Sequence, residues 1–289
     1  MMQEFTLTLL QCKLLTTDTE KLCYGGWLAE RLTVSKVNLP TFFTMLKNRG
    51  EAIMSKQVLE ELNKNLLLHL KENGINNAYY YAPVDDRYWQ KTATSKRVAF
   101  CNLEPYTKEN GEGINGYVQL DKSTLYDCWY YTKTPGKVFA MNYYLSQALY
   151  EGNSNISEED IKNAVSKNSW NENELWEDFD NSLYFNFSYS CSKTTNADNS
   201  YIVNMYKDEF YRQFYRDFVN AAEIDILIVG SELGTNLLNS IFPELHLQYK
   251  GKPVKYDGRI FVSIEHPSRI SYSDIVEVIY DIADAVYTK

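Results

Sequence analysis

Histidine is scarce in this sequence of 289 residues: His69, His246 and His266 are the only three. That is too few for a His-rich metal centre. The five cysteines (Cys12, Cys23, Cys101, Cys128 and Cys191) are odd in number and not closely paired. They read as free thiols in a reducing compartment, not as a disulfide frame or a zinc site. No apolar run approaches the roughly 18 residues that a membrane span needs. The opening stretch MMQEFTLTLLQCKLLTTDTEK lacks a basic region and a small-residue cleavage site, so a secretory signal is not expected and the expected location is cytoplasmic. Repeats, heptads and low-complexity tracts are lacking too.

What is present is ordinary for a folded protein. Hydrophobic residues make up 44% and charged residues 23%, which rules out wholesale disorder. Tyrosine stands out at 24 residues, most of them expected as half-buried amphipathic packing. The net charge of −9 argues against a protein that coats nucleic acid non-specifically. The acidity is concentrated. Glu151, Glu158, Glu159, Asp160, Glu172, Glu174, Glu177, Asp178 and Asp180 face only Lys162 and Lys167 in their segment, so a phosphate-binding face remains open to the rest of the surface. The bland reading of the acidic segment is a solvated face.

Residues 28–73 read as helical, with Leu59, Leu62, Leu66 and Leu70 on one stripe and Asn73-Gly74 as the stop. Residues 79–95 read as a loop. Four short apolar runs read as buried strands, at 97–103, 183–189, 224–229 and 260–264. Helical patterns lie between and after them, at 123–150 (interrupted by Pro135-Gly136), 157–167 (opened by a Ser157/Asp160 capping box), 201–222 and 274–286. The alternation predicts an α/β fold, a three-layer α/β/α arrangement around a mostly parallel four-stranded sheet. Residues 1–95 are expected as an N-terminal helical extension packed on a core of residues 96–289, with an acidic helical insertion near 120–182. In such sheets ligands bind beyond the carboxyl ends of the strands. Asn102, Glu104, Asn186, Ser231 and His266 fall at those ends.

Phe100-Cys101-Asn102-Leu103-Glu104-Pro105-Tyr106 resembles the first motif of the uracil-DNA glycosylase superfamily, a strand entering an acid-Pro-Tyr turn. His266-Pro267-Ser268-Arg269-Ile270-Ser271 resembles its last motif. Leu183-Tyr184-Phe185-Asn186-Phe187-Ser188 resembles the strand whose Asn reads the base, and Val229-Gly230-Ser231 a later strand end. The four follow the family's order over about residues 96–286.

The resemblance implies a monofunctional glycosylase that needs no cofactor and no metal, with DNA as partner and no membrane; a monomer is expected. Cleaving a C1′–N bond builds positive charge on the sugar and negative charge on the leaving base. Fixed groups aimed at developing charge are usually the largest catalytic contribution. Glu104 is the candidate carboxylate beside the sugar, and His266 the candidate donor to the base. Asn186 would read the Watson–Crick edge, since an amide offers a donor and an acceptor. Tyr117 takes the stacking position, Tyr106 crowds C5 of the pyrimidine, and Asn102 lines the pocket. Ile270 would fill the vacated stack as a wedge. Arg269 would meet phosphate or the minor groove, and Ser231, Ser268 and Ser271 would bind phosphates.

The chain departs from the family's best-known branch. Glu104 stands for Asp, Leu103 for Gln, Asn102 for Gly and Thr107 for His. Losing Gln removes a backbone amide contact to the base, which points away from uracil and toward a modified pyrimidine, in repair or in defence against viral DNA. The same departures suit an alternative, a catalytically inactive glycosylase-like module that binds DNA or protein. An enzyme of free nucleotides is a further alternative. Bland readings stand beside each residue: a turn cap for Glu104, packing for His266, a satisfied turn for Asn186, core for Ile270. Asn142 competes as the base reader, His69 reads as a core-edge residue and His246 as a loop residue.

Overall fold

The computed structural model describes residues 39–83, 86–90, 96–103, 116–120, 134–150, 155–166, 182–189, 199–267 and 269–288. The chain divides into two compact units, Met1–Ser55 and Lys56–Lys289. The described residues form a mixed α/β structure. Its elements run α1 Leu39–Glu72, β1 Ala78–Tyr80, a 3-10 turn Asp86–Tyr88, β2 Val98–Asn102, β3 Tyr117–Gln119, α2 Thr134–Tyr150 and α3 Glu158–Ser166. They continue with β4 Ser182–Asn186, α4 Asn199–Met205, α5 Glu209–Ala221, β5 Ile226–Val229, α6 Glu232–Ile241, β6 Val254–Tyr256, β7 Arg259–Ser263 and α7 Tyr272–Tyr287.

Five strands form the main sheet in the order β4-β2-β5-β7-β6, and β1 pairs with β3 in a separate parallel ribbon. The four strands expected from the sequence are the four parallel neighbours β4, β2, β5 and β7. Every residue of β2, β4 and β5 is buried, as parallel strands covered on both sides require. The expected count of four is corrected by β6, an antiparallel edge strand on β7. Its three residues, with Lys255 exposed, are too short and polar to carry an apolar run.

Part of the tyrosine excess lies on the face of the sheet that carries Cys101 and Phe185. Helix α5 lays an aromatic stripe on it. Phe185 packs 5.0 Å from Phe218, and Phe187 stacks on Tyr215 at 5.1 Å. The hydroxyls keep partners inside the core, as buried tyrosines require. Tyr215 donates to Cys101 Sγ at 3.3 Å, Tyr206 to Phe187 O at 3.0 Å and Tyr88 to Ala222 O at 2.6 Å. Burial pushes the pKa of each of these phenols, and of the Cys101 thiol, well up. Truncating Phe185 to Ala would cost about 3–5 kcal/mol. Helix α6 shares this face: a Cβ on Gly234 would lie 2.6 Å from Val229 Cγ2 and 3.1 Å from Phe187. On the opposite face, Asn142 of α2 accepts a hydrogen bond from Ser182 of β4. Helices α2, α3 and α7 pack together, and Tyr280 of α7 clamps Ile156, accepting from its N–H at 2.8 Å and donating to its carbonyl at 3.0 Å.

One local expectation holds and others meet a different outcome. The capping box at Ser157 is reciprocal: Ser157 N donates to Asp160 Oδ2 at 2.8 Å and Asp160 N to Ser157 Oγ at 3.2 Å. Pro135 does not interrupt a helix; it lies in the first turn of α2, where a missing N–H costs nothing. The helix expected at 201–222 is two, because Asp208 caps α5 through Phe210 N at 2.9 Å. Helix α6 was not anticipated. The boundary expected at residue 96 does not match the division at 55/56. Within Lys56–Lys289, His69 stacks on Phe210 at 3.7 Å, Tyr79 N donates to Tyr189 O at 2.7 Å and Tyr88 reaches Ala222. These residues are thus integral to the sheet's unit, a fact that strand motifs do not register.

Candidate active site

The chain leaves β2 for β4 on one side and later enters β5 on the other, so the strand order reverses between β2 and β5. Ligand crevices of open α/β sheets lie outside the carboxyl ends at such a reversal. Asn102 ends β2 there and is buried, its Nδ2 donating to Tyr184 Oη at 2.6 Å. Gly230 follows β5, and its N–H donates to Cys101 O at 3.0 Å. A Cβ on Gly230 would collide with Asn102 Oδ1 and lie 3.0 Å from Pro267 Cδ. The missing side chain lets three strand ends meet: β2 through Asn102, β5 through Gly230, and the segment after β7 through Pro267. Asn186 ends β4 in register with Asn102.

Asn186 is 1% exposed. Its Nδ2 reaches Tyr81 Oη at 3.4 Å, and its Oδ1 has no hydrogen-bond partner among the described residues. Backbone pairing continues past the strand end, with Phe187 N donating to Asn102 O at 2.9 Å and Ser188 N to Leu103 O at 2.8 Å. This fixes the amide on rigid backbone.

His266 is half-buried in a turn where its carbonyl accepts from Arg269 N at 2.7 Å and Ile270 N at 3.1 Å. Burial, and then the Arg269 cation, hold its pKa below the usual imidazole value. The ring is therefore neutral at pH 7 and can donate a single N–H. In helix α6, Thr235 Oγ1 donates to Ser231 O at 2.7 Å. Having one hydrogen, it must accept from Ser263 Oγ at 2.5 Å.

The phosphate-binding expectations fare unevenly. Ser231 Oγ accepts from Gly234 N at 2.9 Å as the cap of α6, and Ser271 Oγ from Asp274 N at 3.0 Å as the cap of α7. Both oxygens therefore already hold helix termini. Arg269 is exposed. Ile270 is corrected: at 2% exposure it is a core residue, whereas a wedge must protrude. Tyr117 lies on β3, half-buried, and donates to Ile75 O at 2.8 Å. Among the described residues no hydrogen bond or ring contact links it to Asn102, Asn186 or His266. Glu104, Tyr106 and Ser268 lie outside the described residues. Asn142, the competing amide, is buried beside Ser182.

Sequence reasoning missed three residues near this edge. Lys137 of α2 donates to Ile270 O at 2.6 Å and sits 5.3 Å over the Tyr272 ring, with burial lowering its pKa. Lys250 pairs with Glu265 at 3.0 Å, bringing Tyr249 into the field of Glu265, Glu232 and Arg269. Tyr81 sits in the segment read as a loop. No local pattern marks any of them, since each partner is distant in sequence.

Among the described residues no group of three or more His, Cys, Asp or Glu is placed to hold a metal ion. None of the described helices is long and apolar enough to cross a membrane. No family model matches the chain, and no curated protein matches it.

Proposed function

We propose that the chain is a DNA glycosylase of the uracil-DNA glycosylase type, with a three-layer α/β/α core, that excises a modified pyrimidine flipped from DNA. The observation that carries this reading is the contact of Asn102, Gly230 and Pro267 at the strand-order reversal, with Asn186 in register beside Asn102. Polar groups from segments spread along the chain thereby share one edge.

In the proposed reaction the C1′–N bond breaks and its electron pair leaves with the base. The neutral His266 ring donates a hydrogen bond to the base oxygen on which charge builds. A neutral imidazole suits that task, because it stabilises the anion without first having to lose a proton. The Glu104 carboxylate stabilises the sugar cation and orients the water whose oxygen adds to C1′, accepting the proton that this water loses, which ends on the departed base anion. Lys137 is engaged by the Ile270 carbonyl, so water remains the nucleophile. Borohydride is expected to trap no covalent protein–DNA adduct.

A binding-only module is the second reading, and buried Ile270 favours it because flipping then lacks its expected wedge. The test is single-turnover excision by wild type, Glu104→Gln and His266→Ala. Loss of at least about tenfold in each variant supports catalysis at this edge. Salt-dependent DNA binding by the wild type without base release supports the module.

A further inference from the structure

We infer that Tyr249 is the side chain that enters the base stack when a nucleotide leaves it, a wedge supplied by the turn between α6 and β6 in place of the buried Ile270. The inference rests on the reading of this edge as the place where a base leaves duplex DNA.

A flipped nucleotide leaves a gap between its neighbours, and an apolar or aromatic filler offsets the lost stacking. The filler must protrude, and it must stand beside the pocket. The exposed large hydrophobics among the described residues are Val58, Leu68, Val203, Tyr249 and Tyr287. Val58 and Leu68 lie on α1, Val203 lies on α4, and the Tyr287 hydroxyl at the end of α7 is held by Leu149 O. Only Tyr249 has a chain neighbour bonded into the His266 turn, because Lys250 pairs with Glu265 at 3.0 Å. Tyr249 is 36% exposed, and among the described residues its ring makes no aromatic contact and its hydroxyl no hydrogen bond.

A wedge that parts two bases must itself be held. Leu245 and Leu247 are buried on either side of the exposed His246. Asn239 of α6 clamps Leu247 by both backbone groups, donating to its carbonyl and accepting from its N–H at 2.8 Å each. Gly251 N then donates to Gln248 O at 3.0 Å, closing a tight turn whose central pair is Tyr249 and Lys250. Lys250 holds a φ of 56°, in the left-handed region that non-glycine residues seldom enter. A Cβ on Gly251 would lie 2.9 Å from Gln248 Cβ, so the turn needs its glycine. Backbone strain of this kind persists only where the surroundings fix it, and here the Asn239 clamp and the Lys250–Glu265 pair do so. The ring thus stands on a rigid corner.

The charges around the corner suit bases more than phosphates. Partial burial raises the pKa of the Tyr249 hydroxyl, and the charges of Glu265, Lys250, Glu232 and Arg269 act on it, two of each sign. They exert no net pull on a phosphate backbone. What the corner offers a duplex is therefore stacking, which the face of any base accepts.

Two measurements decide it, each on wild type, Tyr249→Ala and Tyr249→Phe. The first is affinity for a duplex carrying a tetrahydrofuran abasic site, relative to the same duplex fully paired. Wild type should prefer the abasic duplex, Tyr249→Phe should keep that preference within about threefold, and Tyr249→Ala should lose at least about fivefold of it. No preference in wild type, or an equal one in Tyr249→Ala as a ring reserved for a protein partner would give, overturns the inference. The second is the ratio of single-turnover excision from a duplex to excision from the target strand alone. A lone strand has no closed stack to part, so the ratio should fall at least about fivefold in Tyr249→Ala; an unchanged ratio overturns the inference. If no base is released from any substrate, the glycosylase reading fails, while the abasic-site preference still decides the role of Tyr249. If bases are released but preference and ratio match in wild type and Tyr249→Ala, the glycosylase reading stands and Tyr249 is not the wedge.

Discussion

At the amino edge of the sheet Arg97 meets Glu223 at 2.9 Å, its N–H donates to Asp225 Oδ2 at 2.8 Å, and Arg259 bridges Asp257 and Asn220 at 2.8 Å each. At the carboxyl edge stand Asn102, Asn186, Ser263 and a half-buried His266, with no described ion pair among them. Both edges hold buried polar atoms without hydrogen-bond partners, but of different kinds. At the amino edge they are Arg97 Nε and Arg259 Nε, each one donor of a guanidinium that is engaged through another nitrogen. At the carboxyl edge it is Asn186 Oδ1, the only acceptor its side chain has. The amino edge fastens the fold with opposite charges. The carboxyl edge, beside its exposed Lys250–Glu265 pair, buries neutral amides whose hydrogen bonding a ligand would complete.

Substitutions can break that comparison. The largest effect is expected at Ile270. As a core residue, Ile270→Ala should lower unfolding free energy by about 2–5 kcal/mol in a denaturant titration. A wedge would instead leave stability intact and slow excision. Gly230→Ala comes next, since its Cβ must displace Asn102 or Pro267. Overpacking of this kind costs about 1–3 kcal/mol, readable by the same titration. Arg97→Ala should cost about 1–2 kcal/mol while leaving excision unchanged, because its partners lie at the far edge.

The smallest effect is the pH dependence from His266. Its folded pKa is lowered, so below the unfolded value of about 6.5 the unfolded chain binds a proton that the folded ring resists. Stability from this group is complete above that value and declines as pH falls through it. His266→Gln should flatten the decline, measured as the wild-type-minus-variant difference between pH 7 and pH 5.

The strands were legible because burial on both faces demands continuous apolar runs, and VAFCN, SLYFN, ILIV and RIFVS supply them. The capping box was legible because its two residues are three apart. The edge strand β6 and the ribbon of β1 and β3 were not, since three-residue strands carry no periodicity. Within the site, Asn102 and Asn186 could be placed at strand ends, but their neighbours could not. Tyr81 lies 105 residues from Asn186, and Lys137 lies 133 from Ile270. Ile270 misled because the same apolar residue serves equally as a protruding wedge and as core. Only its burial separates the two.

The most direct measurement is mass spectrometry of what the wild-type protein frees from DNAs carrying uracil, hydroxymethyluracil or glucosylated hydroxymethylcytosine, with alkaline cleavage to reveal abasic sites. The account predicts release of a modified pyrimidine and an alkali-labile site. It would be contradicted by intact strands and no free base from every duplex.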